Sequence, residues 1–150
     1  MNKLLTVLIL LIVSSVTYAQ NGNYTIDVKT AEDAIKKGAF KNNYKYIITY
    51  SQKTNASFTV TPNKDYLVFF VYDNTNHPAG IFNAHLMTPD KKLEEKYTAV
   101  PDDIGQIGAA RVQRLLFTTQ RKMIGGKDKL PVKLNASPAA TIYIFYRNRS

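Results

Sequence analysis

The chain has 150 residues, of which 45% are hydrophobic, with 10 Tyr, 7 Phe, no Trp, no Cys and a formal charge of +9. That length makes one domain able to bury a core, and the lack of Cys excludes thiol catalysis, disulfide exchange and thiolate metal sites. The charge is lopsided: residues 20–110 carry ten Lys/Arg and ten Asp/Glu, whereas 111–150 carry nine cations (Arg111, Arg114, Arg121, Lys122, Lys127, Lys129, Lys133, Arg147 and Arg149) against Asp128 alone.

Met1-Asn2-Lys3 precedes an apolar stretch from Leu4 to Val13 broken only by Thr6, then Ser14, Ser15 and small residues at Thr17 and Ala19. The stretch is shorter than the about 20 apolar residues a membrane-spanning helix needs. It predicts a secretory signal over residues 1–19, cleaved near Ala19/Gln20. No Cys follows it, so a lipoprotein anchor is excluded. The expectation is a single periplasmic or secreted domain, residues 20–150, without a membrane span and held by packing and hydrogen bonds instead of disulfides.

Asn21-Gly22-Asn23 reads as a flexible lead-in, and Tyr24 to Val28 alternates like a short edge strand. Thr30-Ala31-Glu32-Asp33 offers an N-cap with an acid three residues on, and Ala34, Ile35 and Gly38 suit one or two helical turns ended by glycine. Such a short, charged helix would be a lid on one end of a sheet. From Tyr44 to Ser51 the period is two, with Tyr44, Tyr46, Ile48 and Tyr50 on one face. Gln52 to Asn55 reads as a turn, Ser57 to Thr61 as a short strand with Phe58 and Val60 inward, and Pro62-Asn63-Lys64-Asp65 as a second turn. The run Tyr66-Leu67-Val68-Phe69-Phe70-Val71-Tyr72 is a strand covered on both faces, around which the rest is packed. An antiparallel meander joins these strands most simply.

Asp73 to Gly80 is dense in turn formers and reads as a loop; Ile81 to Met87 is the next strand, stopped by Pro89-Asp90-Lys91. Residues 92–98 fit an exposed edge strand or a helical turn, and the strand is preferred. Pro101 to Gly126 has two readings, an amphipathic helix over 103–124, or a glycine-containing loop (102–108), a strand (Ala110–Thr119) and a hairpin turn (Lys122–Lys129). Gly105 and Gly108 each cost a helix about 1 kcal/mol, and the neighbouring segments are strand-like, so the strand is preferred. Leu130 to Leu134 is a short proline-broken strand, Asn135 to Ala139 a turn, and Thr141 to Arg147 a final aromatic strand. The sum is an all-β, two-sheet sandwich or jelly roll of about seven to eight strands with one short N-terminal helix; the alternative is an α+β fold with a helix at 103–124.

The segment order resembles the pre-peptidase C-terminal domains, small jelly rolls found beside secreted bacterial enzymes. Phe58-Thr59-Val60-Thr61-Pro62-Asn63-Lys64-Asp65-Tyr66 looks like their strand, turn and following strand, and Ala84-His85-Leu86-Met87-Thr88-Pro89-Asp90-Lys91-Lys92 like their "xLxLxxPDGK" hairpin. Ala110 to Thr119 looks like the strand after it, and Ala140 to Tyr146 like the closing "GTYxIxV" strand. The cover is about two-thirds of the chain after residue 19. Lys91 and Ala140 stand where glycine is usual, and Lys122 to Lys133 has no counterpart. The resemblance implies a noncatalytic accessory or carbohydrate-binding role and no particular site residues.

Catalytic constellations are sparse. The two histidines, His77 and His85, are eight residues apart, and Asp73, Asn74, Asn76 and His77 match no metal loop of defined geometry. Ser51, Ser57 and Ser137 lack a nucleophile-elbow context, Glu94-Glu95 and Asp102-Asp103 read as solvated acids, and Gly125-Gly126-Lys127 lacks phosphate-loop spacing. Neither enzyme activity, metal nor cofactor is expected. The Asn-x-Ser/Thr sequences at Asn23, Asn55, Asn135 and Asn148 would carry glycans only in a eukaryotic secretory route.

Binding is better motivated. Tyrosines offer stacking faces, if they are not simply core, and the cations from Arg111 to Arg149 are candidate contacts for an anionic polysaccharide or envelope component. Outside the cytoplasm nucleic acid is not the expected polyanion; the bland alternative is a solvated surface that aids solubility. The other function class is a protein-interaction module, an inhibitor or assembly subunit, that offers an edge strand to an exported protein.

Overall fold

The computed structural model describes residues 24–75, 77 and 79–149, so the expected signal sequence lies outside the described residues. The chain is mostly antiparallel sheet: helix α1 (Tyr24–Lys41), strands β1 (Lys45–Val60), β2 (Lys64–Asp73) and β3 (Ile81–Leu86), helix α2 (Lys91–Lys96), and strands β4 (Asp102–Ile107), β5 (Ala110–Thr118) and β6 (Leu130–Asn148). A single 3-10 turn, Ile124–Gly126, lies between β5 and β6.

Where a strand and a one- or two-turn helix were expected, α1 runs 18 residues. Tyr24, Val28, Ala31, Ile35 and Ala39 recur at helical spacing and pack on the sheet. Ile26, which alternation grouped with Tyr24 and Val28, is 62% exposed. Gly38 does not end the helix, and a Cβ there would meet nothing within 4 Å. Asn43, in the left-handed region at φ 61, turns the chain out of the helix, and the Tyr44 amide donates to the Ala39 carbonyl at 3.0 Å.

The strands form one six-stranded sheet of order β1-β6-β2-β5-β4, with β3 also on β6, in place of the two sheets and seven to eight strands expected. β1 pairs with β6 and not with β2, so the first strands are no meander. Both predicted turns inside the long strands are bends. At Gln52–Asn55 and Asn135–Ala139 the register jumps from Lys53↔Ala140 to Asn55↔Asn135, three extra residues on β6. Beyond this bend β6 also changes its other neighbour, from β3 (Ile81↔Ser137) to β2 (Val71↔Thr141).

The bend turns one face of the sheet onto itself. β1 and β5 are three strands apart, roughly 14 Å in a flat sheet, yet the Phe58 and Phe117 rings are 6.4 Å apart. Phe82 of β3 likewise lies 5.2 Å from Phe70 and 4.8 Å from Tyr72 of β2. This concave face holds the main core, including Tyr66, Val68, Phe70, Tyr72, Leu134, Ile142 and Ile144. The opposite face of the same strands, Leu67, Phe69, Val71, Tyr143 and Phe145, is covered by α1. Tyr66 to Tyr72 of β2 are accordingly all buried, as the unbroken apolar run predicted, and Asp65, read as the end of a turn, is in the strand and buried with them. A register shift between Tyr46 and Ile48 divides the start of β1: Tyr46, like Tyr44 just before the strand, sides with α1, and Ile48 and Tyr50 with the concave core.

Two further expectations change. Residues 91–96 are helical, capped by the Asp90 carboxylate, which accepts from the Lys92 and Leu93 amides. Asp102–Ile107 is a strand paired with β5, and Gly108-Ala109 makes the hairpin turn. The Asp27 carboxylate of α1 accepts from the Ala109 amide at 2.8 Å, tying helix to hairpin. The strand reading of 110–119 holds and the helix over 103–124 does not form.

Candidate functional site

Folding does not gather the nine candidate cations on one surface. Four of them meet acids from β2 and β4. Arg111 donates to Asp103 through two guanidinium nitrogens, one at 3.2 Å, and that bonding holds the Asp103 carboxyl below its ordinary range. Arg114 lies 3.8 Å from Asp102 on the other face of β5. Arg147 donates to Asp65 at 2.9 Å with its guanidinium 4.7 Å over the Tyr44 ring, and Arg149 lies 3.6 Å from the other Asp65 oxygen. Asp102 and Asp103, expected as solvated acids, are both exposed, and each also lies beside an arginine of β5.

The other five cations keep their charge available. Arg121, Lys122, Lys127 and Lys129 lie between β5 and β6, with Asp128 the one acid there, and Lys133 points outward from β6 beside His85. Among the described residues none of the five makes an ion pair. Their segment is pinned at its start. The buried Thr119 hydroxyl donates to the Thr61 carbonyl at 2.7 Å and accepts from the Lys64 amide at 3.0 Å. Met123 is buried in the concave core, and Ile124 packs against it.

That same segment closes one end of the concave core and leaves a pocket of about 350 Å³. Its walls include Val60, Leu86, Phe117, Leu130 and Val132, from β1, β3, β5 and β6, with Ala84 of β3 and Met123 of the β5–β6 connection. Lys96, the last residue of α2, and Thr98 line one side, and Gln120 and Lys122 line another. No carboxylate is among the lining residues.

His85 also lines the pocket, and its Nε2 lies 3.5 Å from Glu94 while its Nδ1 is 3.4 Å from the Asn135 amide nitrogen. Asn135 in turn donates to Asn83 at 2.8 Å. This polar chain fastens α2 to the outward side of β3 and β6. A histidine beside a carboxylate is half of a catalytic dyad, but among the described residues no hydroxyl is hydrogen-bonded to His85. His77 is exposed in the loop after β2, and among the described residues no three His, Asp or Glu side chains converge as metal ligands.

Sequence reasoning missed Lys96 and the pocket walls. The apolar pair Met123-Ile124 inside a basic stretch was the one local signal that this segment is docked on a core. Compared with protein-family models, with curated proteins and with solved structures, the chain matches none.

Proposed function

We propose that the chain is an exported, noncatalytic binding domain that contacts an anionic glycan or cell-envelope polymer through Arg121, Lys122, Lys127, Lys129 and Lys133. The observation that supports this reading is their lack of acid partners among the described residues, four of the five lying on a segment held in place by Thr119 and Met123, while the other four cations are engaged. Ligand anions can approach these five without displacing a carboxylate. The accessory role implied by the resemblance to pre-peptidase C-terminal domains, and export by cleavage near Ala19/Gln20, belong to this reading.

The edge-strand alternative has less support. β4 carries the charged Asp102 and Asp103 and an irregularity at Gly105, and β1 carries Lys45, Lys53 and several register shifts. Such features blunt a sheet edge against pairing.

The test is binding of residues 20–150 to acidic and neutral polysaccharides at low and near-physiological salt. A triple variant Arg121→Ser, Lys127→Ser, Lys129→Ser is set beside Arg147→Ser. Expected is salt-sensitive retention of acidic polymers, lost by the triple variant and kept by Arg147→Ser. Retention that neither salt nor the triple variant reduces would refute the reading.

A further inference from the structure

The pocket beneath the basic segment has a chemistry that a polymer contact does not use. Interiors contain few voids larger than a water molecule, whereas ligand sites begin at roughly 300 Å³ and are apolar with a few placed polar groups. Here about 350 Å³ is bounded by Val60, Leu86, Phe117, Met123, Leu130 and Val132. All of these belong to the concave core or pack against it, so the cavity is its unfilled end. Its lining includes two lysines, Lys96 and Lys122, both exposed and neither in an ion pair among the described residues.

We infer that this pocket binds a small amphipathic anion, its apolar tail against Leu86, Leu130 and Val132 and its acidic head group between Lys96 and Lys122. Burial of the tail supplies the affinity, and the lysines select an anion over a neutral molecule of the same shape. At about 350 Å³ the space lies at the small end of ligand-pocket volumes, and decanoate is the probe of matching chemistry. The side chains on which this rests come from four strands, the end of α2 and the β5–β6 connection, and Lys122 alone is shared with the polymer surface.

Calorimetric titration of residues 20–150 with decanoate, decanol and the neighbouring saturated acids tests the inference, with amide shifts in NMR locating the ligand. Expected is saturable one-to-one binding of decanoate that moves the amides of Ala84, Leu86 and Val132 and leaves those of α1 in place. Affinity should rise about fourfold per added methylene until the pocket is full near decanoate, then level off. The double variant Lys96→Gln, Lys122→Gln, both changes at exposed positions, should weaken decanoate about tenfold and leave decanol unchanged. Absence of saturable binding, equal losses for decanoate and decanol, or shifts on the α1 face would each overturn it. Decanoate binding survives the triple variant Arg121→Ser, Lys127→Ser, Lys129→Ser, so failure of the pocket and failure of the polymer contact are separately visible.

Discussion

Tyr143 gives a direct test of where α1 lies. It is 1% exposed beneath the helix, and its hydroxyl donates to Glu32 at 3.3 Å. Burial, with the Glu32 carboxylate adding to it, pushes the phenol far above its ordinary value of about 10. The folded protein therefore keeps a proton that the unfolded chain releases above about pH 10. Stability from this group is fully present below that pH and is lost as pH rises through it, by about 1.4 kcal/mol between pH 9 and 11. Tyr24 and Tyr44, both raised chiefly by burial, act in the same direction, so the wild-type loss exceeds this figure. Urea unfolding of wild type and Tyr143→Phe at pH 9, 10 and 11 isolates the Tyr143 share. The gap between the two proteins should narrow by about 1.4 kcal/mol over that range. A gap independent of pH would mean that Tyr143 is hydrated and that α1 does not cover this face.

Gly108→Ala should cost about 2–3 kcal/mol in the same assay. The residue sits at φ 55, and a Cβ would fall 2.3 Å from the Asp27 carboxylate that receives the Ala109 amide; a loss under 1 kcal/mol counts against the helix-to-hairpin tie. Tyr72→Phe should be neutral or stabilising by up to about 1 kcal/mol, because the Tyr72 hydroxyl is buried with no hydrogen-bond partner among the described residues. A clear destabilisation would show that the hydroxyl is bonded. Asp103, held below its ordinary pKa by Arg111, contributes stability above about pH 4 that is lost as pH falls through its lowered value. The pair is part-exposed, so Asp103→Asn should remove less than about 1 kcal/mol at pH 6 and a smaller amount at pH 2; equal effects at both values refute the pairing.

β2 was legible because a strand buried on both faces must be apolar at every position, and only a short run can be so. β5 was legible because its glycine neighbours penalise the helix that its pattern otherwise allows. α1 was hidden by its chemistry. Two of its three fully buried contacts are alanines, which carry little hydrophobic signal, and Tyr24, Ile26 and Val28 imitate a strand although Ile26 faces solvent. The bends of β1 and β6 were misread because Asn, Ser and Pro mark a change of direction without telling whether pairing continues through it. Here Asn135 stays opposite both Asn55 and Asn83. The candidate cations could be counted in the sequence, but their availability could not. Asp65, which engages both Arg147 and Arg149, lies 82 residues before the first of them. A pocket made of four strand ends has no sequence signature at all.

β6 is the shared neighbour of β1, β2 and β3, and it follows all of them in chain order. A chain delivered from its N-terminus therefore cannot complete the sheet until residues 130–148 have emerged. Until then β1 and β3 have no strand to pair with along their length, and hairpin β4–β5 with β2 is the largest sheet that can form. Pairings of such long sequence separation form slowly. The growing chain thus lacks the shared neighbour of three strands through most of its length, and closure of the sheet is deferred to the final segment. Any break before Leu130 removes the strand that joins the two halves of the concave core.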